Sequence, residues 1–117
     1  MEVFSRLAQS KFRSSFRMDE CDREYVAKSG IEKIRIHARE FVVKRLAPQS
    51  PVKDGKQTPF KGHPVFKAQH ATGTCCRSCL EKWHHMSKGR ALTQDEIDYV
   101  VTVIMEWISH ELRAKSQ

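Results

Sequence analysis

The sequence lacks a long hydrophobic run, so no membrane-spanning helix is expected. The longest largely apolar stretch, Tyr99 to Met105, is far shorter than the roughly 20 residues that cross a bilayer. The N-terminus lacks a charged segment followed by an apolar one, so we expect no secretory signal and a cytoplasmic location by default. With only 5 glycines and 4 prolines among 117 residues, and 39% hydrophobic residues, the composition is typical of one globular domain and excludes a disordered chain.

Alternation of apolar and polar residues is also scarce, and the sequence therefore predicts no β-strand. Apolar residues instead recur at spacings of three and four, most clearly from Ile31 to Leu46. Thr93 and Glu96 form a capping box. The helix that follows has so few polar positions that it is either a central strut or partly buried in a homodimer. We expect a single all-α domain over residues 1–117, with about five helices.

Two segments have no helical period. Residues 1–17 are rich in basic and aromatic side chains and are predicted to form an ordered basic arm. Residues 47–62 hold three prolines and two glycines and are predicted to form a long loop, which at that length is either functional or mobile. After the loop, Pro64 begins a short helix that ends at Gly73, and Thr74 is expected to cap the helix that carries the cysteines.

Cysteine and histidine are concentrated in one short stretch. Between His70 and His85 lie three of the 4 cysteines and three of the 6 histidines. Thiolate and imidazole are the side chains that hold zinc, so we predict a zinc site that uses three or four ligands. The candidate ligands are His70, Cys75, Cys76, Cys79 and His84, with His63 or His85 as replacements.

The helical spacing supports part of this ligand set. Cys79 is four residues after Cys75 and three after Cys76, so either pair lies on one side of a helix. His84 is half a turn away from Cys75 and joins a site only if the helix frays or another element intervenes. Four protein ligands would indicate a structural zinc, whereas an open position would activate a water molecule for hydrolysis.

Two other interpretations of the cysteines remain open. The Cys76-x-x-Cys79 spacing is also that of dithiol redox centres, and a cysteine in the first turn of a helix has its thiolate stabilised. A redox or nucleophilic thiol enzyme is therefore the alternative function. Cys76, Cys79, Leu80 and Trp83 also follow the spacing of an ordinary buried helix face, in which cysteine is a small hydrophobic residue.

Positive charge is concentrated around the same stretch. The net charge is +7, and residues 44–90 alone hold ten basic and two acidic residues. A basic region beside candidate metal ligands predicts a nucleic acid or another polyanion as partner, although solvation of a long loop explains the lysines equally well. Phe60 is available to stack on a base. The predicted polyanion contacts are Lys53, Lys56, Lys61, Lys67, Arg77 and Lys82.

Four strings of the sequence resemble one known family. They are residues 11–16, 54–59, 62–85 and 98–101. Because these strings are distributed from residue 11 to residue 101, the similarity extends over most of the chain. The resemblance is to a bacterial family labelled domain of unknown function 4186. It implies a small bacterial cytosolic protein without an assigned activity, and it supplies no catalytic residues.

Overall fold

The helical prediction is confirmed, with more helices than expected. The structure is a computed structural model that describes residues 2–51 and 56–115. These residues form seven α-helices and no strand: α1 Glu2–Ala8, α2 Lys11–Ser14, α3 Glu20–Ser29, α4 Ile31–Phe41, α5 Pro64–Thr72, α6 Arg77–His84 and α7 Gln94–Lys115. The estimate of five is wrong because the N-terminal arm folds as α1 and α2, which are too short to show a helical period.

Local capping explains where α3 and α4 begin. The Asp19 carboxylate accepts a hydrogen bond from the Asp22 backbone N–H at 2.9 Å, and the Asp22 carboxylate accepts one from the Asp19 N–H at 3.0 Å. Gly30, at a φ of 88°, then joins α3 to α4, because a positive φ suits a residue without a side chain. Helix α4 continues into a π-helical turn over Val42–Leu46, so the predicted apolar face from Ile31 to Leu46 is present in two joined pieces.

Helix α7 is the central strut of the domain. It begins with the predicted capping box, in which the Glu96 N–H donates to the Thr93 hydroxyl at 3.1 Å and the Thr93 N–H donates to the Glu96 carboxylate at 2.9 Å. It packs against α4 and α5, and these contacts bury its apolar side chains within the single chain, including Val100, Val103, Ile104 and Ile108. Within the described residues, no helix is long and apolar enough to cross a membrane.

Arg77 is a structural residue of the interior. Its side chain is 1% exposed, and its guanidinium donates hydrogen bonds to the backbone carbonyls of Leu46, Pro48, Ser87 and Arg90 at 2.7 to 3.2 Å. These bonds tie the end of the π-helical turn to the segment between α6 and α7. The expectation that Arg77 lies on a polyanion-binding surface is therefore corrected, because its charge faces the protein interior.

A tight turn at Gly73 separates α5 from α6. Gly73 adopts the left-handed conformation, with a φ of 70°, and its N–H caps α5 by donating to the carbonyl of Gln69. The Gln69 side-chain amide also donates to the Thr74 carbonyl at 3.0 Å. A Cβ at position 73 would lie 2.7 Å from Cδ1 of Trp83, so the indole of α6 occupies the space that a side chain would need.

We predict that Gly73→Ala lowers the free energy of unfolding by about 2–4 kcal/mol, since the left-handed backbone and the overpacked indole both disfavour alanine. Gly89→Ala is the matched control: Gly89 has a φ of 85° and a Cβ at this position would meet nothing within 4 Å, so only the conformational cost of about 1 kcal/mol is expected. Urea unfolding monitored by circular dichroism measures both. Equal losses in the two variants would contradict the role assigned to Trp83.

Candidate metal centre

The start of α6 brings the three clustered cysteines together. The predicted cap at Thr74 is wrong: α6 begins at Arg77, and Cys76 is its N-cap residue in an extended conformation. The sulfur of Cys76 accepts a hydrogen bond from the Cys79 N–H at 3.4 Å, as a serine or aspartate oxygen does at other N-caps. Because the chain turns at Cys76, Cys75 lies outside the helix and folds back toward Cys79.

The three sulfur atoms form a compact group. The Sγ of Cys79 lies 3.5 Å from that of Cys75 and 3.2 Å from that of Cys76, and all three Sγ atoms are within 4.8 Å of one another. Thiolates that share a tetrahedral metal ion at about 2.3 Å are about 3.8 Å apart, so the separations here are close to those of a metal site. Cys75 and Cys76 are buried, whereas Cys79 is partly exposed.

Arg13 of α2 supplies a positive charge to this group. Its guanidinium donates to the Sγ of Cys75 at 3.5 Å and to the Sγ of Cys79 at 3.1 Å, and one of the same nitrogens donates to the His70 carbonyl at 2.7 Å. Arg13 was not among the site residues predicted from the sequence. The available signal was its position within residues 11–16, one of the four strings that carry the family resemblance.

Hydrogen bonds within the cluster separate the acidities of its thiols. The pKa of Cys79 is lowered well below that of a free thiol, because the Cys75 and Cys76 thiols donate hydrogen bonds to its sulfur and Arg13 stabilises its charge. The pKa of Cys75 is raised by its hydrogen bonds with Cys76 and Cys79 and by burial. Of the three thiols, Cys79 is therefore the one that loses its proton most readily.

The structure does not bring His84 to the sulfur atoms. Its Nε2 lies 2.8 Å from the Thr72 carbonyl, which only accepts hydrogen bonds, so Nε2 carries the proton. Its Nδ1 lies 2.9 Å from the Tyr99 hydroxyl, which takes the lone pair that a metal would need. Burial lowers the pKa of His84, so the ring is neutral at pH 7. The expectation that His84 is a metal ligand is therefore wrong. Its hydrogen bonds instead connect α6 to α7.

His70 also lies outside the sulfur group and binds the long loop instead. Its Nε2 lies 3.2 Å from the carbonyls of both Thr58 and Pro59, and burial lowers its pKa. The Thr58 hydroxyl in turn donates to the Cys75 carbonyl at 2.7 Å. The described end of the loop thus lies beside the cysteines and is held there by hydrogen bonds.

The two replacement ligands also lie elsewhere. The Nε2 of His63 is 3.0 Å from the Nδ1 of His37, and its Nδ1 accepts from the Val65 N–H at 3.0 Å. Burial and the neighbouring His37 lower the pKa of His63 to about 4. His85 is an exposed residue that ends α6 with a φ of 60°. Among the described residues, only Cys75, Cys76 and Cys79 form a group of potential metal ligands.

The predicted polyanion contacts have diverse environments. Lys56, Lys61 and Lys82 are exposed. Lys67 is partly buried, and its ammonium group binds the Asp22 carboxylate at 2.6 Å. Lys53 lies outside the described residues. These positions leave three exposed lysines from the predicted set, spread over the loop and α6.

Comparisons with known proteins identify the family but no structural relative. No solved structure matches the chain. The family model described as Domain of unknown function (DUF4186) matches residues 1–109, which include every helix that contributes to the cysteine cluster. The match covers far more than half of the 117 residues and agrees with the resemblance carried by the four strings. The chain therefore belongs to the family Domain of unknown function (DUF4186).

Proposed function

We propose that this protein binds zinc through the thiolates of Cys75, Cys76 and Cys79. The observation that carries the proposal is the convergence of three Sγ atoms within 4.8 Å of one another. Three soft sulfur ligands in a compact triangle favour zinc over calcium, magnesium and manganese, which prefer oxygen. The helix N-terminus adds a further reason, because the Cys79 N–H donates to the Cys76 sulfur and favours the negative charge that this sulfur carries when it binds a metal.

The charges at the site also suit a bound zinc. A divalent ion with three thiolates carries one net negative charge, and the guanidinium of Arg13 neutralises it from hydrogen-bonding distance of two sulfurs. Such a cation outside the ligand sphere orients the ligands and reduces their mutual repulsion. Arg13 therefore belongs to the proposed site without being a ligand.

The three cysteines would fill three of the four coordination positions of a tetrahedral zinc. The fourth position would be taken by a group other than these cysteines. Neither His70 nor His84 places a ring nitrogen within the group of sulfur atoms, and both nitrogens of His84 are engaged by Thr72 and Tyr99. A water molecule or an external thiol in that position would be open to exchange, as in catalytic zinc sites. The proposed zinc site is thus accessible at Cys79, the one partly exposed cysteine of the three.

We expect purified protein to carry about one zinc ion per chain, measured by inductively coupled plasma mass spectrometry. Cys76→Ser and Cys79→Ser should each lose most of it, because a neutral hydroxyl is a far weaker ligand than a thiolate. Cys21→Ser is the matched control, since Cys21 is exposed on α3 and should leave the zinc content unchanged. Full zinc content in both cluster variants would refute the proposed site.

Arg13→Gln should weaken zinc binding by about 10- to 100-fold, because the variant keeps a hydrogen-bonding side chain but removes the neutralising charge. Competition with a chromogenic chelator measures this affinity. Lys11→Gln is the control, because Lys11 is an exposed cation on the same helix and should have little effect. Equal affinities for Arg13→Gln and the unmodified protein would show that the guanidinium serves only the fold.

A second candidate function is thiol–disulfide exchange. It is favoured by the 3.2 Å separation of the Cys76 and Cys79 sulfurs and by their Cys-x-x-Cys spacing at a helix N-terminus. The Cys79 thiolate would attack a substrate disulfide, forming a mixed disulfide and releasing one substrate thiolate. Cys76 would then lose its proton to that thiolate and attack the Cys79 sulfur, releasing the second substrate sulfur as a thiolate and leaving the Cys76–Cys79 disulfide.

Iodoacetamide labelling across pH separates the two functions. The lowered pKa of Cys79 means that its thiolate persists below the pH range of ordinary thiols, so in metal-free protein Cys79 should be alkylated at mildly acidic pH, faster than in the denatured chain. Mass spectrometry of peptides locates the label. Protection by added zinc supports the metal site. If the protein contains no zinc when it is purified and its Cys79 is labelled rapidly, the redox function is favoured.

A further inference from the structure

Three phenylalanines from distant parts of the sequence meet on one surface. Phe12 and Phe16 contact edge to face, with ring centroids 5.2 Å apart, and the rings of Phe16 and Phe60 are nearly parallel, with an interplanar angle of 15° and centroids 6.4 Å apart. Phe12 is 52% exposed and Phe60 is 59% exposed. We call these three side chains the aromatic patch. Exposed apolar side chains that contact one another are typical of binding surfaces, whereas exposed apolar residues that occur singly are common on any protein.

The ring of Phe60 is held in place from one side. It stacks on the imidazole of His70, with centroids 3.9 Å apart and an interplanar angle of 7°. His70 also binds the carbonyls of Thr58 and Pro59, which directly precede Phe60. One face of the phenyl ring lies against His70 and the side chain is nonetheless largely exposed, so a stacking partner would use the other face. A planar ligand would therefore meet a ring that is already oriented.

A cavity of about 550 Å³ lies beside the aromatic patch, between Phe16 and Phe60. Its charged lining consists of Asp19, Asp22, Lys61 and Lys67, so two carboxylates balance two ammonium groups. Lys67 bridges both carboxylates, at 2.6 Å from Asp22 and 3.7 Å from Asp19. The cavity thus offers aromatic walls and carboxylate acceptors with no net charge, which suits a neutral planar group that carries N–H donors.

Two exposed lysines flank members of the aromatic patch in the sequence. Lys61, which also lines the cavity, follows Phe60, and Lys11 precedes Phe12. The guanidinium of Arg13 lies 5.0 Å from the centroid of the Phe12 ring. A neutral aromatic interior with a basic margin matches a nucleotide, in which an uncharged base with amino and imino donors is attached to an anionic phosphate.

We propose that the aromatic patch and its cavity bind an unpaired segment of nucleic acid, with one base stacked on the open face of Phe60. The exocyclic amine of that base donates to Asp19 or Asp22, and the backbone phosphates lie along Lys11 and Lys61. Stacking requires an exposed base face, so single strands bind and duplexes do not. The proposal does not rest on the zinc site, although His70 and Thr58 connect the loop of Phe60 to Cys75.

Fluorescence anisotropy with a fluorescein-labelled oligodeoxynucleotide of about a dozen nucleotides tests the proposal. We expect micromolar binding at low salt, and the same sequence as a duplex should bind markedly more weakly. Phe60→Ala should raise the Kd by about 5- to 100-fold. Phe60→Leu should raise the Kd nearly as much, because leucine is apolar but has no aromatic face. Phe12→Ala should also weaken binding.

Matched variants on α4 control for surface apolarity and charge. Ile36→Ala removes an apolar side chain that is 56% exposed and outside the cavity lining, and should leave the Kd unchanged. Lys61→Gln should reduce the slope of log K against log salt by about 0.7, whereas Lys33→Gln should not. Zinc content and thermal unfolding of each variant show whether a loss of binding comes from the metal site or the fold.

Three results would overturn the proposal. They are no binding at low salt, equal binding of duplex and single strand, or equal affinities for Phe60→Leu, Phe60→Ala and the unmodified protein. Loss of zinc without loss of oligonucleotide binding, for example in Cys79→Ser, would leave this proposal intact and would locate the metal apart from the nucleic-acid surface. The two functions are therefore separable by experiment.

Discussion

The turn between α5 and α6 is the constraint on which the candidate site depends. At Gly73 the backbone takes the left-handed conformation, and the indole of Trp83 fills the space beside it. The side chain of Gln69 and the hydroxyls of Thr72 and Thr74 hold the neighbouring backbone in a network of short hydrogen bonds. Because these hydrogen bonds fix the turn, Cys75 and Cys76 lie directly before α6 with their sulfurs close to that of Cys79.

Charge connects this turn to the N-terminal segment. Arg13 reaches across to two of the sulfurs and to the His70 carbonyl, so α2 is anchored at the same place where α5 ends. Arg6 anchors α1 in a similar way, by donating to the Trp83 carbonyl at 2.8 Å. Arginine suits both positions, since its planar guanidinium donates several hydrogen bonds while remaining charged. The basic N-terminal arm is thus part of the folded domain and contributes a charge to the site.

The long loop is integrated with the site through His70. This imidazole binds the loop carbonyls of Thr58 and Pro59 and stacks on Phe60. A residue that the sequence offered as a metal ligand instead orients the surface we propose for nucleic acid. One helix, α5, therefore supports two neighbouring features, with the cysteines beyond its C-terminal end and the aromatic patch along its side.

Sequence alone determined the features that depend on neighbouring residues. The capping box at Thr93, the end of α5 at Gly73 and the clustering of three cysteines are local, because residues a few positions apart on a helix or turn are close in any fold. The all-α class follows from the same local periodicity. Family membership was also readable from the strings that the chain contains.

Only the tertiary structure decided which side chains complete the site. Arg13 lies 66 positions before Cys79, and no local pattern relates a cation in a short helix to a thiolate so distant in the chain. His70 and His84 are at ligand-like spacing, yet nearby carbonyls and Tyr99 bind their nitrogens, because the cost of burying an imidazole is reduced by hydrogen bonds. Phe60 likewise meets Phe16 only after α2 and the loop pack on α5. Long-range packing of this kind depends on the whole chain.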